Sequence, residues 1–351
     1  MKRKRGAVAV FQTPPQRILI VKPSSLGDIA TTLPLLCDLR ALYPEAQIDW
    51  LIAPALADLV RGHEALHELL FFDRGTVDPW WSPAGLGRLW RLQHLLRTRR
   101  YDLVLDAQGL LRSGLLARWT GAPVRVGFGW AREGAVHLYT HWSHLPPPPQ
   151  QAVVRMRSLM GPLGGPPRPV EFRVPISRVA VDALRGWWPT GGGRVAAVIP
   201  GARWDSKRWS EDGFAEIGRR LAAAGFGLVL IGSKSEERLC AMIAQRVGQA
   251  AVNVAGCTTL AEMIAALSLC DVVIGNDSGP LHVAVALGRP LVGLYGPTDP
   301  LEVGPWGQLD HVLRFDDPGN YRAAASADRS GTLARLPAER VWDMVKTVAG
   351  I

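Results

Sequence analysis

Residues 17–28 read RILIVKPSSLGD, an apolar run of strand length that stops at Lys22-Pro23 and turns through two serines and a glycine to an acid. Beyond Asp28 the apolar residues Ile29, Leu33 and Leu36 recur at helical spacing, so the stretch reads as strand, turn, helix. Pro34 within that helix calls for a first-turn position or a kink. The alternation continues outward, with strands expected at 47–53 (QIDWLIA) and 102–106 (DLVLD). A Pro/Gly-rich stretch then interrupts it, from Pro146–Pro149 through GPLGGPPRP at 161–169 to Gly191–Gly193. Strands are expected again at 194–199, 227–231, 251–254, 271–275 and 291–295. Helices are expected at 211–224, 235–248, 259–269, 280–288 and 337–349. Short apolar strands separated by helical segments are the pattern of βαβ units and parallel sheets. The sequence therefore predicts an α/β protein of two Rossmann-like domains with a ligand cleft between them. The expected division is a basic extension at 1–16, a first domain at 17–175, a linker at 176–193 and a second domain at 194–330, before a final helical segment at 331–351.

The 351 residues are 48% hydrophobic and 20% charged, an ordinary globular composition longer than one hydrophobic core usually organises. No apolar run reaches the roughly 18 residues of a bilayer-spanning helix. The basic opening MKRKRGAVAVFQTPP has too short an apolar stretch for an export signal. Cys37, Cys240, Cys257 and Cys270 form no CxxC pair, which argues against a disulfide frame or a structural zinc. A soluble, cytoplasmic protein is expected. The net charge of +9 is unevenly placed: residues 1–175 carry 22 Lys+Arg and 13 Asp+Glu, whereas 176–351 carry 18 of each. An anionic ligand or surface is thus expected at the first half, unless the Lys2–Arg5 tail is merely solvated.

Three turns could carry chemistry. In the first, KPSSLGD, Gly27 permits a tight bend, and Ser24 and Ser25 offer hydroxyls at the carboxyl end of the opening strand. Neither GxGxxG nor GxxxxGK[ST] is present, which removes the main support for a dinucleotide or ATP site. Asp28 has two readings, a helix-start carboxylate complementing the dipole or a general base. The second turn is Gly275-Asn276-Asp277-Ser278-Gly279-Pro280-Leu281-His282, where Ser278 suits an N-cap and Pro280 a first helical turn. The free N–H groups of such a helix start suit a diphosphate, although an ordinary capped helix would look the same. His282 can face the anion or pack on the sheet. The third, PGARWDSKRW at 200–209, brings Arg203, Lys207 and Arg208 before a helix capped by Ser210. One cationic loop and one helix start favour a phosphate site over a solvated basic loop. No Asp-x-Asp occurs, so a metal-independent site is expected, with cations and helix dipoles neutralising the diphosphate.

In order, KPSSLGD, DAQGL at 106–110, the PGA…KRW loop, NDSGPLH and YGPTDP at 295–300 resemble glycosyltransferase family 9, the lipopolysaccharide core heptosyltransferases, over essentially the whole chain. KPSSLGD and DAQGL are more similar to the first heptosyltransferase, which adds heptose to the Kdo of lipid A; NDSGPLH and PGA…KRW lean toward the second. The resemblance implies a GT-B fold, acceptor bound by the first domain, ADP-heptose by the second, and a final helix crossing back to the first domain. It implies Asp28 as general base, with Ser25, Gly27, Gln108 and Arg132 on the acceptor side. On the donor side it implies Lys207 at the diphosphate, Glu236 at the sugar or ribose, and Asp277, Ser278, Gly279 and His282 lining the pocket. Ala202-Arg203 stands where the first heptosyltransferase has a Thr-Thr pair, so Arg203 would contribute a charge in place of hydroxyls. No cofactor is implied beyond the ADP-heptose donor. The implied partners are ADP-heptose, Kdo-lipid A and the anionic cytoplasmic face of the inner membrane, held peripherally.

The segment at 80–100 (WWSPAGLGRLWRLQHLLRTRR) bears on that location. On a helical wheel Leu86, Leu89, Trp90 and Leu96 group together, with Arg88, Arg91 and Arg99 largely opposite. It reads either as a surface helix or as a contact to an anionic membrane or acceptor. Nucleic-acid binding is not expected, since no basic-aromatic or groove-reading motif is present. Two other function classes share parts of the pattern. A GT-B-like sugar-nucleotide 2-epimerase would leave the basic first half without an anionic acceptor. A non-catalytic lipopolysaccharide-binding subunit would have no use for Asp28, Lys207 and Asp277.

Overall fold

Strand β1 (Arg17–Val21) is buried after Arg17, and the chain turns at Lys22 into helix α1 (Leu26–Leu42). The computed structural model describes residues 11–72, 82–145, 150–166, 168–189, 193–314 and 333–351. Most of the basic extension, the four-proline run, Gly191 and residues 80–81 and 315–332 lie outside the described residues. Two compact units are present, Met1–Pro175 and Ile176–Ile351.

In the first unit β2 (Gln47–Ile52), β3 (Glu68–Phe71), α2 (Pro83–Thr98), β4 (Leu103–Asp106), α3 (Leu111–Trp119), β5 (Val124–Phe128), β6 (His141–Ser143) and α4 (Ala152–Arg157) follow α1. Its six strands are all parallel, in the order β3-β2-β1-β4-β5-β6. Strands covered on both faces need apolar residues at nearly every position, which is how β1 and β2 read. The second unit contains α5 (Arg178–Ala183), β7 (Val195–Ile199), α6 (Glu211–Ala223), β8 (Gly227–Leu230), α7 (Glu237–Val247), β9 (Ala251–Asn253) and α8 (Leu260–Leu269). It continues with β10 (Val272–Asn276), α9 (Gly279–Ala286), β11 (Leu291–Tyr295), α10 (Pro300–Val303), β12 (Val312–Arg314) and α11 (Ala338–Ala349). Its strand order, β12-β11-β10-β7-β8-β9, repeats the order of the first sheet, again all parallel. Each sheet reverses direction between its first and fourth strands, and at the carboxyl ends of such a pair α/β proteins bind ligands.

Several expectations need correction. Strands β3, β5, β6 and β12 are short or interrupted by polar residues and give no clear period in the sequence. Pro34 sits inside α1, which runs on past it. Residues 176–193 are not a plain linker: Ser177 caps α5 by accepting from the Ala180 N–H at 3.3 Å, and α5 packs on α8. Val341, Val345 and Ala349 of α11 are buried in the second unit's core with Ile217 and Leu221 of α6. Helix α2 turns differently from the wheel reading. Leu96 is buried and Leu92 packs on the same core, whereas Leu86 and Trp90 remain 53% and 64% exposed. Arg99, grouped with the arginines of the polar side, forms an ion pair with Glu68.

Candidate active site

The first unit places its expected residues at the switch between β1 and β4. Pairing of Val21 with Asp106 sets the turn after β1 beside the turn after β4. Asp28 is the third residue of α1, and its Oδ2 accepts from the Ser25 N–H at 3.2 Å and the Ser25 hydroxyl at 3.1 Å. The helix-start reading is therefore realised, but it does not exhaust the residue. Lys22 Nζ lies 3.5 Å from the same oxygen, and the Asp28 side chain is still 44% exposed. Partial burial pushes its pKa up, yet the Lys22 ammonium and the Ser25 donors pull it further down, holding it below the ordinary carboxylate value. Lys22 is itself buried. Burial lowers its pKa, and the Asp28 and Asp106 carboxylates offset this only in part.

Asp106 is fully buried and builds the neighbouring turn. It accepts from the Gln108 and Gly109 N–H groups at 2.9 and 3.1 Å and from the Tyr139 hydroxyl at 2.8 Å. Burial raises its pKa against these hydrogen bonds. Gly127 makes room for that tyrosine, since a Cβ there would lie 2.2 Å from the ring. Arg132 is exposed, and its N–H donates to the Gly109 carbonyl at 2.9 Å, so it joins the same turn as Gln108. Pro23, Ser24, Phe72, Gln108, Arg112 and Leu116 line a cavity of about 330 Å³. Gln108 Oε1 is buried with no hydrogen-bond partner among the described residues. Ser25, Gly27, Asp28, Gln108 and Arg132 thus gather on turns of one switch point.

The second unit assembles the others at the switch between β7 and β10. Pairing of Ile199 with Gly275 brings the loop after β7 beside the turn after β10. Fully buried Asn276 ties them, its Nδ2 donating to the Pro200 carbonyl at 2.7 Å and its Oδ1 accepting from the Trp209 N–H at 3.2 Å. Buried Asp277 is the hub: its Oδ2 accepts from Lys207 Nζ at 2.6 Å and from the Thr298 hydroxyl at 2.7 Å. His282 Nε2 lies 3.9 Å from the other oxygen. Gly296 allows the Lys207 turn to pass, since a Cβ there would meet the Ser206 carbonyl at 2.7 Å. Ser278 starts α9 without capping it through its side chain, and its hydroxyl is buried with no partner among the described residues. Glu236 accepts from the Ser233 N–H and hydroxyl at 2.7 and 2.8 Å and leans on Gly201, where a Cβ would lie 1.9 Å from its carboxylate. Arg203 is exposed, its guanidinium 5.5 Å from the Trp204 ring centre.

Sequence reasoning gave no role to Lys22, Asp106, Asn276 or Thr298. A lysine ending an otherwise apolar strand was the available signal for Lys22; the others depend on register between distant strands. Taken together, two parallel sheets of the same strand order define a Rossmann-type protein. One switch point carries an acid beside a buried lysine, and the other a cation, a carboxylate and a helix start. The profile of glycosyltransferase family 9 (heptosyltransferase) matches residues 89–329. Lipopolysaccharide heptosyltransferase 1 of Escherichia coli K12 is 31% identical over 303 residues, spanning 85% of this chain and 93% of that protein. Lipopolysaccharide heptosyltransferase 2 of the same strain is 29% identical over 317 residues, spanning 85% of this chain and 88% of that protein. Among solved structures, E. coli heptosyltransferase WaaC with ADP superposes with a TM-score of 0.78 at 28% identity, covering 95% of this chain and 100% of that one. The chain belongs to glycosyltransferase family 9, the heptosyltransferases, and has the GT-B fold of that family.

Proposed function

We propose that this chain is a lipopolysaccharide heptosyltransferase that moves heptose from ADP-L-glycero-D-manno-heptose to the Kdo of Kdo-lipid A with inversion. The observation that carries the chemistry is Asp28, held ionised by Lys22 at the open end of the first sheet. The identity of the donor and acceptor is supported by relatives named lipopolysaccharide heptosyltransferase 1 and by the likeness to WaaC with ADP-2-deoxy-2-fluoro heptose.

The acceptor oxygen attacks the anomeric carbon as the bond to the β-phosphate oxygen breaks, and its proton passes to Asp28. An acid of low pKa is a weak base toward a resting alcohol. It suffices when the alcohol becomes acidic as its oxygen bonds to carbon, and such assistance is worth roughly 10²–10⁴ in rate. The electron pair leaves with ADP. Lys207, the α9 N–H groups and the Ser278 hydroxyl are placed to stabilise that charge. Since Lys207 starts paired with Asp277, donor binding exchanges one anionic partner for another. Gln108 and Arg132 belong to the acceptor, Glu236 and His282 to the donor. We infer that no metal or cofactor takes part, because Lys207 and the helix start already supply positive potential for the diphosphate. The lipid-borne acceptor places the enzyme at the cytoplasmic face of the inner membrane, as a peripheral protein.

The test measures ADP release from ADP-heptose with Kdo-lipid A, with heptosyl-Kdo-lipid A, and with no acceptor. Release only with Kdo-lipid A is expected. A preference for the heptosylated acceptor would make the protein the second transferase, and epimerised donor without acceptor would end the transferase reading. Asp28→Ala should bind donor normally and lose about 10²–10⁴ in turnover; near-full turnover would remove Asp28 from the mechanism.

A further inference from the structure

Helices α2 and α3 pack side by side in the first unit. Between them they carry Arg88, Arg91, Arg97, Arg112 and Arg118 and no aspartate or glutamate. Their inward positions cover the sheet: Leu96 and Leu116 join Leu19, Val21, Leu51 and Val104 in one buried cluster. What remains outward is not the polar face of an ordinary surface helix. Leu86 and Trp90 stand 53% and 64% exposed one turn apart, and Leu95 and Leu111 are exposed as well. Trp90 stacks on His94 at 5.4 Å between ring centres, and Arg97 continues the same ridge, while Arg91 and Leu95 form its other flank. Among the described residues, Glu133 accepts from the Leu111 N–H at the start of α3.

We propose that the outer face of α2 and α3 is a docking surface for an anionic lipid bilayer. Exposed Leu and Trp among arginines, without acids, is the composition that seats a helix at the headgroup boundary, each cation adding attraction to a negative surface. A second copy of this chain is a poor occupant, because a two-fold contact would set arginine against arginine with no acid to pair. No described helix is long and apolar enough to cross a membrane. The placement also serves chemistry. Helix α2 starts after β3 and α3 after β4, at the carboxyl edge of the sheet that carries Asp28. A bilayer seated there holds a lipid-anchored acceptor at the edge where its hydroxyl is needed. The proposal concerns the surface alone and does not depend on which sugar is transferred.

The experiment floats the full chain with vesicles of phosphatidylcholine alone and of phosphatidylcholine with phosphatidylglycerol in equal parts, without substrate. Binding to the anionic vesicles only, weakening with salt, is expected. Leu86→Ser with Trp90→Ser, and separately Arg91→Gln with Arg97→Gln, should each lower the partition about tenfold or more while leaving the melting temperature unchanged. Failure of the wild-type chain to float with anionic vesicles would overturn the proposal, as would a Leu86/Trp90 variant that binds like wild type. A wild-type dimer that the Leu86/Trp90 variant dissociates would assign the face to self-association and also overturn it. Because no sugar transfer is read, any of these leaves the transferase reading standing.

Discussion

Replacing Lys22 by methionine removes a buried charge while keeping the shape of the side chain, and it isolates what that lysine does to Asp28. Two unit charges 3.5 Å apart attract by about 1 kcal/mol in water and about 5 kcal/mol at an effective dielectric constant of ~20. Asp28 is 44% exposed, so the lower part of that range applies, about 1–2 kcal/mol or roughly one pH unit. The sign follows from the causes of its pKa. Burial raises it, Lys22 and Ser25 lower it, and without Lys22 the upward push is opposed by Ser25 alone. The acid limb of the kcat/KM profile for ADP release should therefore move about one unit toward higher pH in Lys22→Met. At pH 8, where Asp28 is ionised in either protein, activity should remain within a few-fold of wild type, and Lys22→Arg should restore much of the original limb. An acid limb that stays in place in Lys22→Met would refute the idea that Lys22 sets the charge of Asp28. A uniform loss of turnover at all pH values would refute it equally, by pointing to a role in binding or folding.

Asp277→Ala should weaken ADP binding about tenfold or more by isothermal calorimetry, because Lys207 and Thr298 lose the acceptor that positions both. Gly201→Ala should raise the donor KM with little change in melting temperature, since the added methyl displaces the carboxylate end of half-buried Glu236 rather than backbone or apolar core atoms; an unchanged donor KM would remove Glu236 from the pocket. Dialysis against EDTA should leave ADP release within about twofold of the untreated rate, and a loss restored by added Mg²⁺ would contradict the metal-free reading.

The turns at Asp28 and Asp277 were legible because each follows a strand apolar at nearly every position and precedes a helix with a recognisable start. Strand order then sets each turn beside the turn after a neighbouring strand of its own sheet, β4 for Asp28 and β7 for Asp277. The partners of each acid were harder to read. Lys207 and Asp277 meet only because β7 lies beside β10, and nothing local to PGARWDSKRW specifies that pairing. Lys22 looked like the polar end of a strand, whereas Trp50 Nε1 closes over its carbonyl at 3.1 Å and the side chain turns inward to Asp28. The wheel for α2 failed because it grouped Leu86 and Trp90 with Leu89 and Leu96, and the sheet takes the stripe one position round.

The pairing of Lys207 with Asp277 also bears on what an inhibitor of this pocket must look like. Because Lys207 is positioned by Asp277 and shares its charge with that carboxylate, a singly charged ligand receives only part of the lysine's attraction. A doubly charged diphosphate meets Lys207 and the start of α9 together, so its second charge has no resident competitor. Replacing the diphosphate by one carboxylate or sulfonamide should therefore cost more affinity than the lost contact suggests. A compound that keeps two anionic or strongly accepting groups, spaced to span Lys207 and Ser278, should retain it.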